Sequence, residues 1–288
     1  MANFKDVIQL LRLKQWTKNI LVIVPAFFAG IITPVEIGIL VKGFFAFSLT
    51  ASIVYILNDW KDKDLDALHP TKKNRPLPRG VFNTNQLFII VGILISLIIV
   101  LSLQLPYYFN LSLSLFFGLN FLYSFGLKKI PYLEMCIVSF GFLLRIYAGG
   151  YLVDVPISGW LMLLISMTAL LIICAKRNAE IQNGNFKARS VLKYYNPKLI
   201  KVFVILLALL SVGSYLMYCL DKDVIARIGS NKLFYTTIFI LLGMARYLQQ
   251  VFFKLNTGAP AELFYKDKFI FIIILSWLTS FYYLLYAN

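Results

Sequence analysis

Gly43-Phe44-Phe45-Ala46-Phe47-Ser48-Leu49-Thr50-Ala51-Ser52-Ile53-Val54-Tyr55-Ile56-Leu57 runs without a charge straight into Asn58-Asp59-Trp60-Lys61-Asp62-Lys63-Asp64-Leu65-Asp66. The first part closes an apolar run over 37–57, long enough to cross a bilayer, which takes roughly 20 residues of helix. The second puts four of the chain's 13 acidic residues into eight positions. If the helix continues past Leu57, then Asn58, Asp62 and Asp66 stand at i, i+4 and i+8 on one stripe, with Asp59 beside it. Like charges at that spacing repel, so the stripe calls for a cation. Carboxylates where a span meets water suit magnesium, which keeps several waters and bridges to substrate phosphates. The plainer alternative is a solvated loop whose aspartates pair with Lys61 and Lys63.

The rest of the chain puts this stretch in a membrane. Of 288 residues, 60% are hydrophobic and 14% charged, with a mean hydropathy of +0.77, whereas soluble domains carry about a quarter charged residues. Nine apolar runs stand out, at 18–33, 37–57, 86–105, 109–127, 132–153, 157–175, 199–220, 232–252 and 268–286. Prolines at 34, 106, 131, 156 and 197 fall between them, where helix ends belong. The expected fold is therefore all-α and integral to the membrane, with nine transmembrane helices in one domain over 1–288. Residues 1–17, mixing Lys5, Arg12 and Lys14 with Phe4, Val7, Ile8, Leu10, Leu11 and Leu13, read as an amphipathic lead-in helix. Cys136, Cys174 and Cys219 show no pairing or zinc spacing.

Charge sets the orientation. Twenty-three of the 28 lysines and arginines fall in 1–19, 58–85, 126–131, 176–201 and 246–268, all on one side of the nine runs; Lys42, Lys222, Arg227 and Lys232 fall on the other, and Arg145 lies within a run. The positive-inside rule makes the richer side cytoplasmic. The N-terminus and the Asp-rich stretch are then cytoplasmic, the C-terminus outside, and the chain a multi-pass protein of the inner membrane. The net charge of +15 reflects that rule and anionic lipid; with no soluble basic domain, nucleic acid is not an expected partner.

After the aspartates comes His69-Pro70-Thr71-Lys72-Lys73-Asn74-Arg75-Pro76-Leu77-Pro78-Arg79-Gly80. Its prolines fix the backbone, and Lys72, Lys73, Arg75 and Arg79 are phosphate donors, Arg by a two-bond clasp and Lys as a mobile charge. His69 reads as a structural turn residue. Taken together, Asn58-Asp59-x-x-Asp62-x-x-x-Asp66 and Asn74-Arg75-Pro76-Leu77-Pro78-x-Gly80 resemble the first aspartate-rich motif of the UbiA superfamily of intramembrane prenyltransferases. That resemblance implies helices around a lipid-accessible cavity capped by cytoplasmic loops, with Asp59, Asp62 and Asp66 binding Mg2+ and a substrate's diphosphate. The family normally places a second Asp-x-x-x-Asp cluster after the sixth span. Here stands Ala175-Lys176-Arg177-Asn178-Ala179-Glu180-Ile181, one carboxylate beside two cations, which favours phosphate held directly by cations. Lys176, Arg177 and Glu180 are expected on roughly one helix face.

This departure resembles one branch, the decaprenyl-phosphate phosphoribosyltransferases. The matching segments are Arg12-Leu13-Lys14-Gln15-Trp16-Thr17-Lys18-Asn19, His69-Pro70-Thr71-Lys72, Tyr123-Ser124-Phe125-Gly126-Leu127-Lys128, Gly141-Phe142-x-x-Arg145 to Gly149-Gly150, Lys176-Arg177-x-x-Glu180 and Gly258-Ala259-Pro260-Ala261-Glu262. The branch implies an enzyme that moves a 5-phosphoribosyl group from phosphoribosyl diphosphate to a polyprenyl phosphate. On that reading Lys18, Asn19, Asn58, Lys72, Arg75, Tyr123, Lys128, Glu134, Arg145, Lys176, Arg177 and Glu180 line the substrates. Ionisable groups inside membrane helices face a partner or a polar cavity, so Arg145 is open to substrate phosphate or structural pairing, and Glu134 to a substrate hydroxyl or the metal shell. The alternatives are transfer of a prenyl group from prenyl diphosphate to an aromatic acceptor, or a non-enzymatic transporter. Against the transporter, the carboxylates gather at one face instead of threading the spans. A homo-oligomer stays open.

Overall fold

The computed structural model describes residues 3–31, 33–68, 72–184, 190–253 and 263–286, and those residues form helices, turns and no strand. The α-helices run α1 Phe4–Leu11, α2 Val24–Ala29, α3 Pro34–Ala67, α4 Thr84–Ser102, α5 Tyr107–Phe125, α6 Leu133–Leu152, α7 Gly159–Gln182, α8 Pro197–Leu220, α9 Lys222–Ile228, α10 Thr237–Phe253, α11 Leu263–Lys266 and α12 Lys268–Tyr286. Polar caps start several of them. Asn3 with Asp6 and Asn83 with Gln86 form reciprocal capping boxes, while Asn196 and Asp221 cap α8 and α9; each satisfies N–H groups a helix start leaves open.

Seven described helices are long and apolar enough to span a bilayer: α3, α4, α6, α7, α8, the stretch Asn231–Phe253 and Lys268–Leu285. Two of the nine expected crossings differ. The run at 18–33 is a 3₁₀ stretch, Leu13–Val22, followed by the six-residue α2. Likewise the expected 1–17 helix ends at Leu11, because Arg12 turns left-handed at φ 52°. The fourth run, at 109–127, is the helix α5 of 19 residues, whose apolar character Asn110, Ser112, Ser114, Asn120 and Ser124 dilute.

Packing divides the chain into two compact units, one of Met1–Ile137 with Leu144–Pro156, the other of Val138–Leu143 with Ile157–Asn288. The first is organised around α3. Its small residues Ala46, Ser48, Ala51 and Ser52 are buried and let the Leu13–Val22 stretch come close: Trp16 Nε1 donates to Ser52 Oγ at 3.0 Å, Ser52 Oγ donates to the Leu11 carbonyl at 2.8 Å, and Asn19 Nδ2 donates to Ser48 Oγ at 3.0 Å. Phe47, Phe109, Phe116, Leu144 and Leu152 fill the space beyond. Gly149 is required here, since a Cβ would strike the Val22 carbonyl and Pro25. In the second unit α7 packs along α8, and α10 along α12. Tyr215 bonds Thr236 Oγ1 at 2.7 Å and accepts from Trp277 Nε1 at 2.7 Å, so its buried hydroxyl ties α8 to α12 at little desolvation cost.

Candidate functional site

α3 does continue through the aspartates, to Ala67; the solvated-loop alternative is set aside. This places Asp59, Asp62, Asp64 and Asp66 in the last turns of a helix, where unsatisfied carbonyls already concentrate partial negative charge and carboxylates are disfavoured. Four cations from three other segments offset that. Arg12 Nε donates to Asp59 Oδ2 at 3.1 Å while its Nη2 bonds Oδ1, a two-bond clasp. Arg75 Nη1 donates to Asp59 Oδ1 at 3.0 Å and to Asp66 Oδ2 at 2.8 Å. Lys72 reaches Asp66 at 3.1 Å, and Lys128 meets both oxygens of Asp62 at 2.6 Å and Asn58 Oδ1 at 3.5 Å. The stripe expected from spacing is therefore two pairs. Asn58 and Asp62 share Lys128, whereas Asp59 and Asp66, two turns apart, share Arg75. Lys61 instead lies over the Phe125 ring, 5.1 Å from its centroid.

Arg12 is not among the residues that the resemblance places against the substrates. It lies in a segment singled out by resemblance, but only its left-handed backbone aims the guanidinium at Asp59, and nothing in its residue type signals that conformation. Arg79 is turned away from the aspartates and donates to Asp6 at 3.2 Å. Lys18 is half-buried and forms no hydrogen bond or ion pair with the described residues. Tyr123 donates to Glu134 at a long 3.5 Å, and Glu134 is fully buried.

Arg145 and Asn19 meet each other. Arg145 Nε donates to Asn19 Oδ1 at 2.7 Å, and the guanidinium sits over Phe116 and Phe47 at 4.5 and 5.4 Å from their centroids. A charge inside a membrane helix is thus held by an amide and two ring faces, and the same contact ties the Leu13–Val22 stretch to α6.

In the second unit, α7 carries the other cluster to its C-terminal turns. Lys176 is exposed, while Arg177 is 3% exposed and donates to Glu180 Oε2 at 2.5 Å. At i, i+1 and i+4 of one helix, Lys176, Arg177 and Glu180 fall within about 100° of one side, and Arg177 and Glu180, three residues apart, form an ion pair there. Asn178, between them, is 1% exposed. His69, Pro70 and Thr71, the flanking cations Lys187 and Arg189, and Gly258 to Glu262 lie outside the described residues.

Magnesium can be tested against this donor set. Arg75 Nη1 marks a point where positive charge is held by oxygens of two carboxylates two turns apart, and oxygen donors are what magnesium takes. Among the described residues no three His, Cys, Asp or Glu side chains converge on one point. Asp59 and Asp66, which meet at Arg75, offer the one or two carboxylates such an ion uses, with water and phosphate completing its shell. The residues fit.

A family model for UbiA prenyltransferases matches residues 19–275. The chain belongs to the UbiA prenyltransferase family. As a UbiA protein it is a transferase and a multi-pass integral membrane protein. Among curated relatives, it is 28% identical to the decaprenyl-phosphate phosphoribosyltransferase of Mycolicibacterium smegmatis, covering 94% of this chain and 90% of that one. It is 29% identical to the protein of the same name from Corynebacterium glutamicum, over 94% and 84%. The UbiA fold is seen directly in a homologue from Archaeoglobus fulgidus bound to GPP and Mg2+, with a TM-score of 0.71, 14% identity, and coverage of 97% and 99%.

Proposed function

We propose that this UbiA protein transfers a 5-phosphoribosyl group from phosphoribosyl diphosphate to a polyprenyl phosphate of the decaprenyl type, with Mg2+, releasing diphosphate. The observation that carries the reading is the contrast between two helix ends: three aspartates interleaved with Arg12, Lys72, Arg75 and Lys128 on α3, and a cation-led Arg177–Glu180 turn on α7. The full-length relatives with that activity in their names support it.

Asp59, Asp62 and Asp66, with Asn58 at hand, would hold Mg2+, whose chemistry is to stabilise and orient leaving phosphate oxygens. Arg75, Lys72 and Lys128 exchange carboxylate partners for diphosphate oxygens, and Lys18 adds to that charge. Arg177 and Lys176 hold the acceptor phosphate or the ribose 5-phosphate. An acceptor phosphate oxygen attacks ribose C1, the C1–O bond to diphosphate breaks, and its electron pair leaves with the diphosphate. A phosphate acceptor is ionised at neutral pH, so no side chain has to remove a proton. Tyr123 and Glu134 face the ribose hydroxyls, and Asn19 with Arg145 seats the segment carrying Lys18.

Within this reading 1–288 is one membrane-embedded domain of nine crossings, the broken segment 18–33 and α5 supplying two of them, with loops capping the site. The N-terminus and the aspartates lie on the cytoplasmic side of the inner membrane and the C-terminus outside. The test is a thin-layer assay with purified protein, Mg2+, polyprenyl phosphate and ribose-labelled phosphoribosyl diphosphate. Label should move into lipid and stop doing so with chelator or Asp62→Ala. Turnover of a prenyl diphosphate with an aromatic acceptor, and no labelled lipid, would replace this reading with ordinary prenyl transfer.

A further inference from the structure

A pocket lies in the first unit at the end of α3 opposite the aspartates. It has a volume of about 490 Å3 and is formed where the starts of α3 and α5 meet the end of α6. Glu36 and Asp154 contribute carboxylates, Tyr108 and Tyr151 contribute rings, and among the described residues no Lys or Arg lines it. The two tyrosine rings are stacked, with centroids 5.2 Å apart. Lys42, the nearest cation along α3, is engaged with Gln104 at 2.7 Å. Glu36 and Asp59 are 23 positions apart on one helix, roughly 35 Å at 1.5 Å per residue, so this pocket is remote from the aspartate cluster.

Each part has an ordinary explanation. A glutamate in a helix's first turn complements the dipole, and tyrosines at span ends form the aromatic belt. Neither explains Glu36 Oε2, which is enclosed and has no hydrogen-bond partner. An enclosed carboxylate oxygen without a donor is costly.

We propose that this pocket binds an organic ammonium group. Two carboxylates supply the counter-charge, and stacked tyrosines offer ring faces, which attract alkylammonium ions. The volume falls in the range of small-molecule sites and far exceeds a bare metal ion. The group could be the amine headgroup of a phospholipid from the adjoining leaflet or a free amine in solution; the chemistry recognised is the same.

The experiment uses the full chain in detergent and compares it with Glu36→Gln, Asp154→Asn and the double variant. Asparagine is chosen at 154 because it tolerates left-handed φ. Calorimetric titration with tetramethylammonium chloride and with ethanolamine reads the soluble source. Native mass spectrometry after exposure to phosphatidylethanolamine or phosphatidylglycerol vesicles reads the lipid source. Saturable binding in either arm, weakened about tenfold or more in the double variant, with melting temperature and ribosyl transfer unchanged, is the expected result. Retention of phosphatidylethanolamine alone assigns the lipid; titration alone assigns the free amine. Absence of saturable binding in both arms, or binding that the double variant leaves intact, overturns the proposal. If the double variant melts early, Glu36→Gln alone decides by the same criterion.

Discussion

Two helices of this protein end in charge, and they end differently. At the end of α3 three aspartates are each clasped by cations that come from elsewhere in the chain, from Arg12, Lys72, Arg75 and Lys128. At the end of α7 a single glutamate is clasped by Arg177, three residues earlier on the same helix. The first arrangement depends on tertiary structure, and its cations come from three segments, Lys72 and Arg75 sharing one. The second contains an ion pair made within one turn. A site that must gather and release a multiply charged group needs the first; a fixed counter-charge needs only the second.

The comparison breaks most easily at its strongest point. Asp62→Ala and Asp66→Ala should each lower ribosyl transfer about 10³-fold, the scale of losing a preorganised electrostatic element, while Glu180→Ala should lower it about tenfold. Equal losses in the labelled-lipid assay would erase the distinction. Next, Arg177→Met strips the counter-charge from a partly buried glutamate and should cost about 3 kcal/mol of stability, whereas Lys176→Met on the exposed side should stay within about 0.5 kcal/mol. Melting in detergent separates them, and similar losses would mean that the two cations share a role after all.

Gly149→Ala sharpens the other half. Its new methyl would meet backbone at Val22, which cannot swing aside as a side chain does, so a loss of about 2 kcal/mol is expected. Because that backbone leads back to Lys18 and Arg12, transfer activity should fall with the melting temperature; a stable, fully active variant would show that the segment's seating is not needed.

The smallest effect belongs to a local acid used as a control. Asp267 is pushed up by burial, but hydrogen bonds and charge from Arg246 and N–H donation from Ile270 and Phe269 outweigh this and hold it below its ordinary value. A carboxyl lowered in the folded state contributes stability above its unfolded pKa, near 3.8, and loses it as pH falls through the folded value. Asp267→Asn should therefore lower the melting temperature slightly at neutral pH and flatten its decline below pH 4, with ribosyl transfer unaffected. A variant whose acid limb matches wild type would remove Asp267 as a contributor.

Much of this was legible because membrane helices and charge spacing are one-dimensional signals. The apolar run into Asn58–Asp66 gave α3, and the scarcity of carboxylates made its end conspicuous. What escaped depends on backbone conformation or on partners far along the chain. Arg12 breaks a helix with a left-handed turn that arginine does not advertise, so the 1–17 helix was drawn too long and the clasp on Asp59 went unseen. Spacing also placed Asp62 and Asp66 on one stripe, yet which cation each meets is decided by Lys128 and Arg75, 66 and nine residues away. Polar residues in α5, and a 3₁₀ stretch where a span was expected, show the same limit.

α3 is also a lever. Its 34 residues span about 51 Å at 1.5 Å per residue, well beyond the roughly 30 Å of a hydrocarbon core, and they form one uninterrupted rod. With its Glu36 end as fulcrum, a tilt of about 5° would carry Asp59, some 35 Å away, through about 3 Å. That displacement is about one hydrogen-bond length, enough to trade one partner for another. Bilayer thickness, which tilts long helices, thereby becomes a mechanical input at the aspartates.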